Sequence, residues 1–250
     1  MEVNTDRNSS AREIIREVSR VIAGKDAVIV KVLLAILAGG HILMEDIPGV
    51  GKTTLAVSMS RALGLEYNRV QFTPDVLPSD ITGYSLFDKN TGTMSYQRGA
   101  ILCNLFLADE LNRATSRTQS ALLQAMEEGE VTVDNHTYPV PQPFIVIATQ
   151  NPAGAKGTQL LPDSQLDRFM ICMSMGYPDL KAEIAIAKGK ANGVSVDNVR
   201  EVIDGKGLTE IKSAVAETYV HNYVYAYVAK LVQATRENPY IELGVSPRGT

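Results

Sequence analysis

Cysteine is scarce in this sequence, with two residues in 250, Cys103 and Cys172, each inside an apolar stretch and neither in a CxxC or Cys/His spacing. That pattern excludes a cysteine–histidine metal framework and a disulfide scaffold, and predicts two buried, reduced thiols of the kind a reducing cytosol keeps. An excess of basic charge is missing too. Lys and Arg number 24 against 28 Asp and Glu, a formal net charge of -4. No overall electrostatic case therefore exists for a nucleic-acid partner, whose phosphates call for a basic stripe. Long apolar runs are also absent: Val28 to Ala38 is interrupted by Lys31 and falls short of the roughly 20 residues that span a bilayer. It reads as a buried helix, and no membrane insertion is expected. The opening MEVNTDRNSSAREIIREVSR is polar and charged, without the apolar core a secretory signal needs, so a cytoplasmic location is expected.

What is present is enough apolar material for a large core, 45% hydrophobic residues against 21% charged, which suits one large domain or a large one with a smaller companion. Ser10 followed by Glu13 has the form of a capping box, with Ile14, Ile15, Val18, Val21 and Ile22 at helical spacing behind it. An amphipathic helix is expected to start there, with loose residues before it. A second helix over Lys25 to Leu37 is expected to stop at Gly39-Gly40. Short apolar runs at His41 to Glu45, Tyr67 to Phe72, Ile101 to Ala108, Phe144 to Thr149 and Phe169 to Met175 alternate with helical or turn-rich stretches. That order predicts an α/β fold with a parallel sheet covered by helices. Two hairpins interrupt it, Ser85–Phe87 with Thr93–Tyr96 and Glu130–Val133 with Thr137–Tyr138, the second turning at Asp134-Asn135; both have turn chemistry at the expected place. Gly176-Tyr177-Pro178 marks a junction, giving a core over residues 1–177 and a helical region over 178–250, with helices expected at Lys181 to Lys190 and Leu208 to Glu237.

Chemistry concentrates at two strand ends. Asp46-Ile47-Pro48-Gly49-Val50-Gly51-Lys52-Thr53 lies between a predicted strand and the predicted helix Thr53 to Leu63, the context in which a Gly-rich loop cradles phosphate on backbone N–H groups. Pro48-Gly49-Val50-Gly51-Lys52-Thr53-Thr54 carries the phosphate contacts, with Lys52 reaching the β and γ oxygens and the Thr53 hydroxyl placed on Mg²⁺. The usual pattern GxxxxGK[ST] has glycine where this chain has Asp46, and an acidic side chain there must point away from a triphosphate or be offset by the metal. The second strand end is Ile101-Leu102-Cys103-Asn104-Leu105-Phe106-Leu107-Ala108 running into Asp109-Glu110, a Walker B arrangement at the edge where open α/β sheets bind ligands. Asp109 is expected to hold the metal and Glu110 to orient or deprotonate the attacking water. Ala148-Thr149-Gln150-Asn151-Pro152 ends another strand with an amide able to sense a γ-phosphate, or simply to initiate an Asn-Pro turn.

With these residues assembled, the blocks GGHILMEDIPGVGKTTLA, LFLADELNRATSRTQSALLQAMEEGEVTVD, FIVIATQNP and LPDSQLDRF resemble a MoxR-type AAA+ ATPase, over roughly Val21 to Thr250. The resemblance implies an AAA+ core with a five-stranded parallel sheet, a small helical lid and a hexameric ring with ATP at the subunit boundaries. Carried over residue by residue, it makes Asn151 the sensor 1 position, Arg168 in LDRF the arginine finger reaching a neighbour's γ-phosphate, and Arg248 in SPRG the sensor 2 position. Ile22-Ala23-Gly24 resembles the segment lining the adenine pocket. The two hairpins resemble the helix 2 and pre-sensor 1 inserts, elements that project toward a pore or a client, or else only cover a sheet edge. Arg113 and Arg117 are left between a subunit interface and a solvated helix face. Because the family's lid continues past the sensor 2 arginine, the chain is expected to carry an incomplete lid.

The implied activity is Mg-ATP binding and hydrolysis by a chaperone that remodels or matures protein complexes, with von Willebrand factor A domain proteins among its implied partners. Two other functions stay open at this stage: a nucleotide-gated scaffold without appreciable turnover, and a P-loop phosphotransferase acting on a small molecule.

Overall fold

The computed structural model describes residues 2–89, 92–151, 161–191 and 194–250, without the side chains of 2–8, 190 and 191. In chain order the elements are α1 (Glu2–Ser19), α2 (Asp26–Leu37), β1 (Ile42–Glu45), α3 (Lys52–Ala62), β2 (Tyr67–Gln71), α4 (Pro78–Thr82), β3 (Gly83–Asp88), β4 (Thr93–Arg98) and β5 (Leu105–Asp109). After a 3₁₀ turn at Leu111–Arg113 come α5 (Ser116–Glu128), β6 (Glu130–Val133), β7 (His136–Pro139), β8 (Ile145–Gln150), α6 (Asp163–Leu166), β9 (Ile171–Met173), α7 (Leu180–Ala191), α8 (Gly205–Ala216) and α9 (Asn222–Glu237).

Five strands form one sheet in the order β2-β5-β8-β1-β9, every pair parallel. Parallel pairing needs helical crossovers that cover both faces, so the inner strands are apolar on both sides. β5 and β8 are buried along their whole length. Alternation along each strand divides the core in two. Ile42, Met44, Leu105, Leu107, Ile145 and Ile147 face α1, α2 and α3, while Leu43, Phe106, Ala108, Val146 and Ala148 face α5 and the buried Phe72 and Leu122.

The expected α/β plan is the observed one, with local corrections. α1 begins at Glu2, upstream of Ser10; no glycine or proline stands before Ser10 to stop a helix that Ile14 and Val18 anchor in the core. α2 ends where expected. Gly39 takes φ +80 and donates to the Ile36 carbonyl while Gly40 donates to that of Ala35, the paired bonds of a left-handed helix stop. Residues 101–104, expected in a strand, form turns in which Ile101, Leu102 and Cys103 are buried. The Ile101 N–H donates to the Ile81 carbonyl and Asn104 and Leu105 both donate to that of Glu66, so their apolar side chains fill the core without joining the ladder. Cys103 is buried and its thiol is pushed up to about 12 by burial. Cys172, expected inside, is exposed because β9 is an edge strand.

Both hairpins form, β3 with β4 and β6 with β7. Asp134 and Asn135 have φ of +49 and +64, the left-handed pair that a tight two-residue hairpin turn demands; Asn90 and Thr91 in the first turn lie outside the described residues. Tyr96 stacks on Tyr138 with ring centroids 3.8 Å apart, which joins the hairpins. The single helix expected over Leu208 to Glu237 is two, α8 and α9. The chain leaves the helix after Ala216 and restarts behind His221, whose Nδ1 accepts from the Tyr223 N–H at 3.2 Å.

Candidate active site

In a parallel sheet every strand delivers its C-terminal end to the same edge, so Asp46, Asp109 and Asn151, at or just beyond the ends of β1, β5 and β8, come together there. The β1–α3 loop wraps this edge. Gly49 has φ +88 and Gly51, the residue before α3, φ +100, a conformation that side-chain-bearing residues rarely adopt. Lys52 is buried to 8% exposure and its Nζ donates to the carbonyls of Asp46 at 2.8 Å and Ile47 at 3.3 Å. Burial lowers the Lys52 pKa, with Asp46, Asp109 and Glu110 pulling against it; the two Walker B carboxylates therefore act on this ammonium. Thr53 and Thr54 are half-buried on the first turn of α3, and Pro48 is exposed on the loop.

Asp46 resolves the departure from the usual loop pattern. Its carboxylate accepts from Ser174 Oγ at 2.6 Å, the Met175 N–H at 2.5 Å and the Gly176 N–H at 3.0 Å. It is turned to the chain that leaves β9 and is fully engaged there. Lys25 holds the same chain by donating to the carbonyls of Met175 at 2.6 Å and Tyr177 at 2.7 Å. The junction before α7 is thus tied to the phosphate loop on one side and to the segment after Ile22-Ala23-Gly24 on the other. In that segment Ile22 belongs to the core, and a Cβ at Gly24 would stand 2.7 Å from Ala182 Cβ, so α7 closes over it.

Asp109 is 9% exposed and both its oxygens are engaged. Oδ1 accepts from Thr149 Oγ1 at 2.7 Å and Oδ2 from Arg69 Nη2 of neighbouring β2 at 2.7 Å. Glu110 sits at φ +57; its N–H donates to Thr149 Oγ1 at 2.8 Å and its Oε2 accepts from Arg113 Nη1 at 2.7 Å. Within its own chain Arg113 is thus paired with Glu110, while Arg117 is exposed. Asn151 is held through its backbone by buried Asn112, which receives its N–H at 3.4 Å and donates to its carbonyl at 3.3 Å. Pro152 lies outside the described residues. Sequence reasoning gave no role to Arg69, Asn112 and Thr149; Asn112 and Thr149 lie inside the family-like blocks, but it takes the side-by-side pairing of β2, β5 and β8 to bring Arg69 and Thr149 to Asp109 and to set Asn151 beside Asn112.

Arg168 and Arg248 are elsewhere. Arg168 Nη1 donates to the Leu123 carbonyl at 2.8 Å and pairs with Glu127 Oε2 at 2.7 Å, and Arg248 Nη2 pairs with the other oxygen of Glu127. They line one cavity with Gly40 and His41, at the start of β1. Four strand residues separate His41 from Asp46, roughly 13 Å of extended chain, so neither arginine is brought to the phosphate loop of the same chain.

Residues 41–171 match the model of the ATPase family associated with various cellular activities (AAA), the stretch that holds both edges. This chain is a MoxR-type AAA+ ATPase. It is 42% identical over 236 residues to YeaC of Bacillus subtilis, covering 94% of this chain and 74% of YeaC. It is 35% identical over 245 residues to the Chaperone MoxR1 of Mycobacterium tuberculosis, covering 94% of this chain and 64% of MoxR1. A crystal structure from Cytophaga hutchinsonii superposes with a TM-score of 0.89 at 34% identity, over 99% of this chain and 78% of that one. As a P-loop ATPase of this family it binds and hydrolyses ATP; none of these relatives supports the scaffold or phosphotransferase reading. No helix among the described residues is long and apolar enough to cross a membrane.

Proposed function

We propose that the chain works as a chaperone-type ring ATPase in which each active site is built from the C-terminal sheet edge of one subunit and the arginine edge of the next. The observation that carries this reading is the separation of the two residue sets to opposite ends of β1: Lys52, Asp109 and Glu110 at one, Arg168 and Arg248 at the other.

ATP lies along the β1–α3 loop, its base against Ile22-Ala23-Gly24 and its phosphates over the N–H groups of Gly49 to Thr54. Lys52 exchanges the carbonyls of Asp46 and Ile47 for phosphate oxygens. The Thr53 hydroxyl and the Asp109 carboxylate are hard oxygen donors of the kind Mg²⁺ takes alongside phosphate. Among the described residues no cluster of three or more His, Cys, Asp or Glu side chains forms a separate metal cage, in keeping with an ion shared with the nucleotide. When bound, Mg²⁺ neutralises charge on the β and γ oxygens. Glu110 releases Arg113, orients the attacking water and takes its proton; Asn151 holds the γ-phosphate side of that water. The neighbour's Arg168, with Arg248 beside it, stabilises charge on the transferring phosphoryl group.

In this reading residues 1–177 are the nucleotide-binding core and 178–250 a helical lid, with Asp46 and Lys25 fixing the last residues of the core, Ser174 to Tyr177, from which the lid departs. The two hairpins face protein clients, for which complexes containing von Willebrand factor A domains are the proposed class, in a hexamer in the cytoplasm. The name Chaperone MoxR1 borne by a relative supports the protein clients. Steady-state ATPase activity measured against protein concentration tests the composite site, with Glu110→Gln and Arg168→Ala beside the wild type. Activity per subunit should rise with concentration and fall in both variants; a rate per subunit that is flat with concentration and indifferent to Arg168→Ala would sink the ring reading.

A further inference from the structure

One buried hydroxyl touches both Walker B residues. Thr149, the fifth residue of β8, is 1% exposed and stands in register with Met44 of β1. Its Oγ1 donates to Asp109 Oδ1 at 2.7 Å and accepts from the Glu110 N–H at 2.8 Å. A threonine hydroxyl has one proton. Committed to a carboxylate that can only accept, it leaves its lone pairs for the peptide N–H, so the direction of both bonds is set. The peptide it holds is unusual: Glu110 is a non-glycine residue at φ +57, a conformation that persists where its surroundings over-determine it. Two further contacts fix Glu110, the Arg113 N–H to its carbonyl at 2.9 Å and Arg113 Nη1 to its carboxylate.

Both oxygens of Asp109 are engaged, Oδ1 by Thr149 and Oδ2 by the Arg69 guanidinium at 2.7 Å, but Thr149 is buried in the sheet whereas the Arg69 side chain is 40% exposed and free to swing away, which makes Oδ2 the oxygen open to exchange for a cation. We propose that Thr149 is a positioning residue for ATP hydrolysis. Its hydroxyl sets which oxygen of Asp109 faces the metal and holds the Glu110 backbone in the turn that aims its carboxylate, coupling both to the strand that ends in Asn151. The inference rests on the roles given above to Asp109 and Glu110. A hydroxyl that merely satisfied buried polar groups would affect folding alone; a positioning hydroxyl acts on metal requirement and turnover and is replaceable by serine.

The test compares wild type with Thr149→Val, which keeps the shape and loses the hydroxyl, and Thr149→Ser, which keeps the hydroxyl. Binding of N-methylanthraniloyl-ATP is followed in EDTA and then along a Mg²⁺ titration, and kcat and KM for ATP are measured with Glu110→Gln as the inactive control. Thr149→Val should bind the nucleotide in EDTA as the wild type does, need more Mg²⁺ for its metal-dependent change and lose kcat, each by roughly 10- to 100-fold, the usual penalty for removing a partner of a metal-holding group. Serine should restore both to within about threefold, since it keeps the same donor and acceptor. Unchanged Mg²⁺ requirement and kcat in Thr149→Val, or a serine variant as impaired as the valine, overturns the proposal. Wild type without turnover above Glu110→Gln would remove the role of Glu110 instead, and the Mg²⁺ titration would still judge Thr149. Should the valine variant melt far below the wild type, Thr149→Ala replaces it in both readouts.

Discussion

The two edges of the central sheet carry opposite kinds of chemistry on the same scaffold. At the C-terminal edge the functional groups are buried, Lys52 at 8% and Asp109 at 9% exposure, and each is held by neighbouring strands or by the loop itself. At the N-terminal edge Arg168 and Arg248 keep side-chain exposures of 29% and 46% and share one carboxylate, that of Glu127. Burial suits groups that must hold one geometry around phosphate, because a low-dielectric setting strengthens each contact. Partial exposure suits groups that meet a ligand brought by another molecule. Parallel pairing makes the asymmetry unavoidable: loops that follow strands and loops that precede them can never lie on the same edge.

The contrast is broken most sharply at the arginine edge. Arg168→Ala should leave ATP binding to a dilute subunit unchanged and reduce turnover at ring-forming concentration by about 10³-fold, the lower range for an arginine finger; a loss already present in dilute subunits would place the arginine on its own nucleotide. At the acidic edge Glu110→Gln should cost turnover about 10²-fold or more at every concentration while binding persists, as read by kcat beside nucleotide titration. The sheet between them is the spacer. Leu107→Ala, at a fully buried position of β5, should destabilise by about 2–5 kcal/mol in urea unfolding, whereas Tyr227→Ser on exposed α9 should stay within about 0.5 kcal/mol.

The smallest expected effect is at His41, beside the arginine pair. Its Nδ1 accepts from the Val146 N–H at 3.0 Å and its Nε2 lies 3.2 Å from the Met126 carbonyl, so the neutral ring with its proton on Nε2 fits both. Burial is the main cause of a pKa below the ordinary 6.5; the Met126 bond opposes it and Lys212 adds to it. A base whose folded pKa is lowered leaves the unfolded chain to bind the proton first, so the stability it confers is complete above about pH 6.5 and lost as pH falls below it. The urea midpoint of wild type should therefore drop more between about pH 7.5 and pH 5.5 than that of His41→Gln; equal drops would show that His41 does not titrate with folding.

Much of the acidic edge is legible in the sequence. Gly49, Gly51, Lys52 and Thr53 announce a phosphate loop because backbone approach and a lysine at fixed offset are local requirements, and Asp109-Glu110 is legible because an apolar strand runs straight into it. Less could be read where burial and secondary structure part company. Residues 101–104 are as apolar as a strand yet turn, since their peptide groups pair with Glu66 and Ile81, and Cys172 is exposed although its neighbours are apolar, since β9 is an edge.

The amino-acid sequence by itself determined the family, the strand–loop–helix unit around Lys52 and the pair of carboxylates at Asp109-Glu110, because each depends on residues close together in the chain. Only the tertiary structure decided that Asp46 faces Met175 and Gly176, that Thr149 and Arg69 hold the two oxygens of Asp109, and that Arg168 and Arg248 meet on Glu127 at the far edge. Those arrangements depend on strand order and register, which set distances between residues 40 or more positions apart and leave no local pattern in the chain.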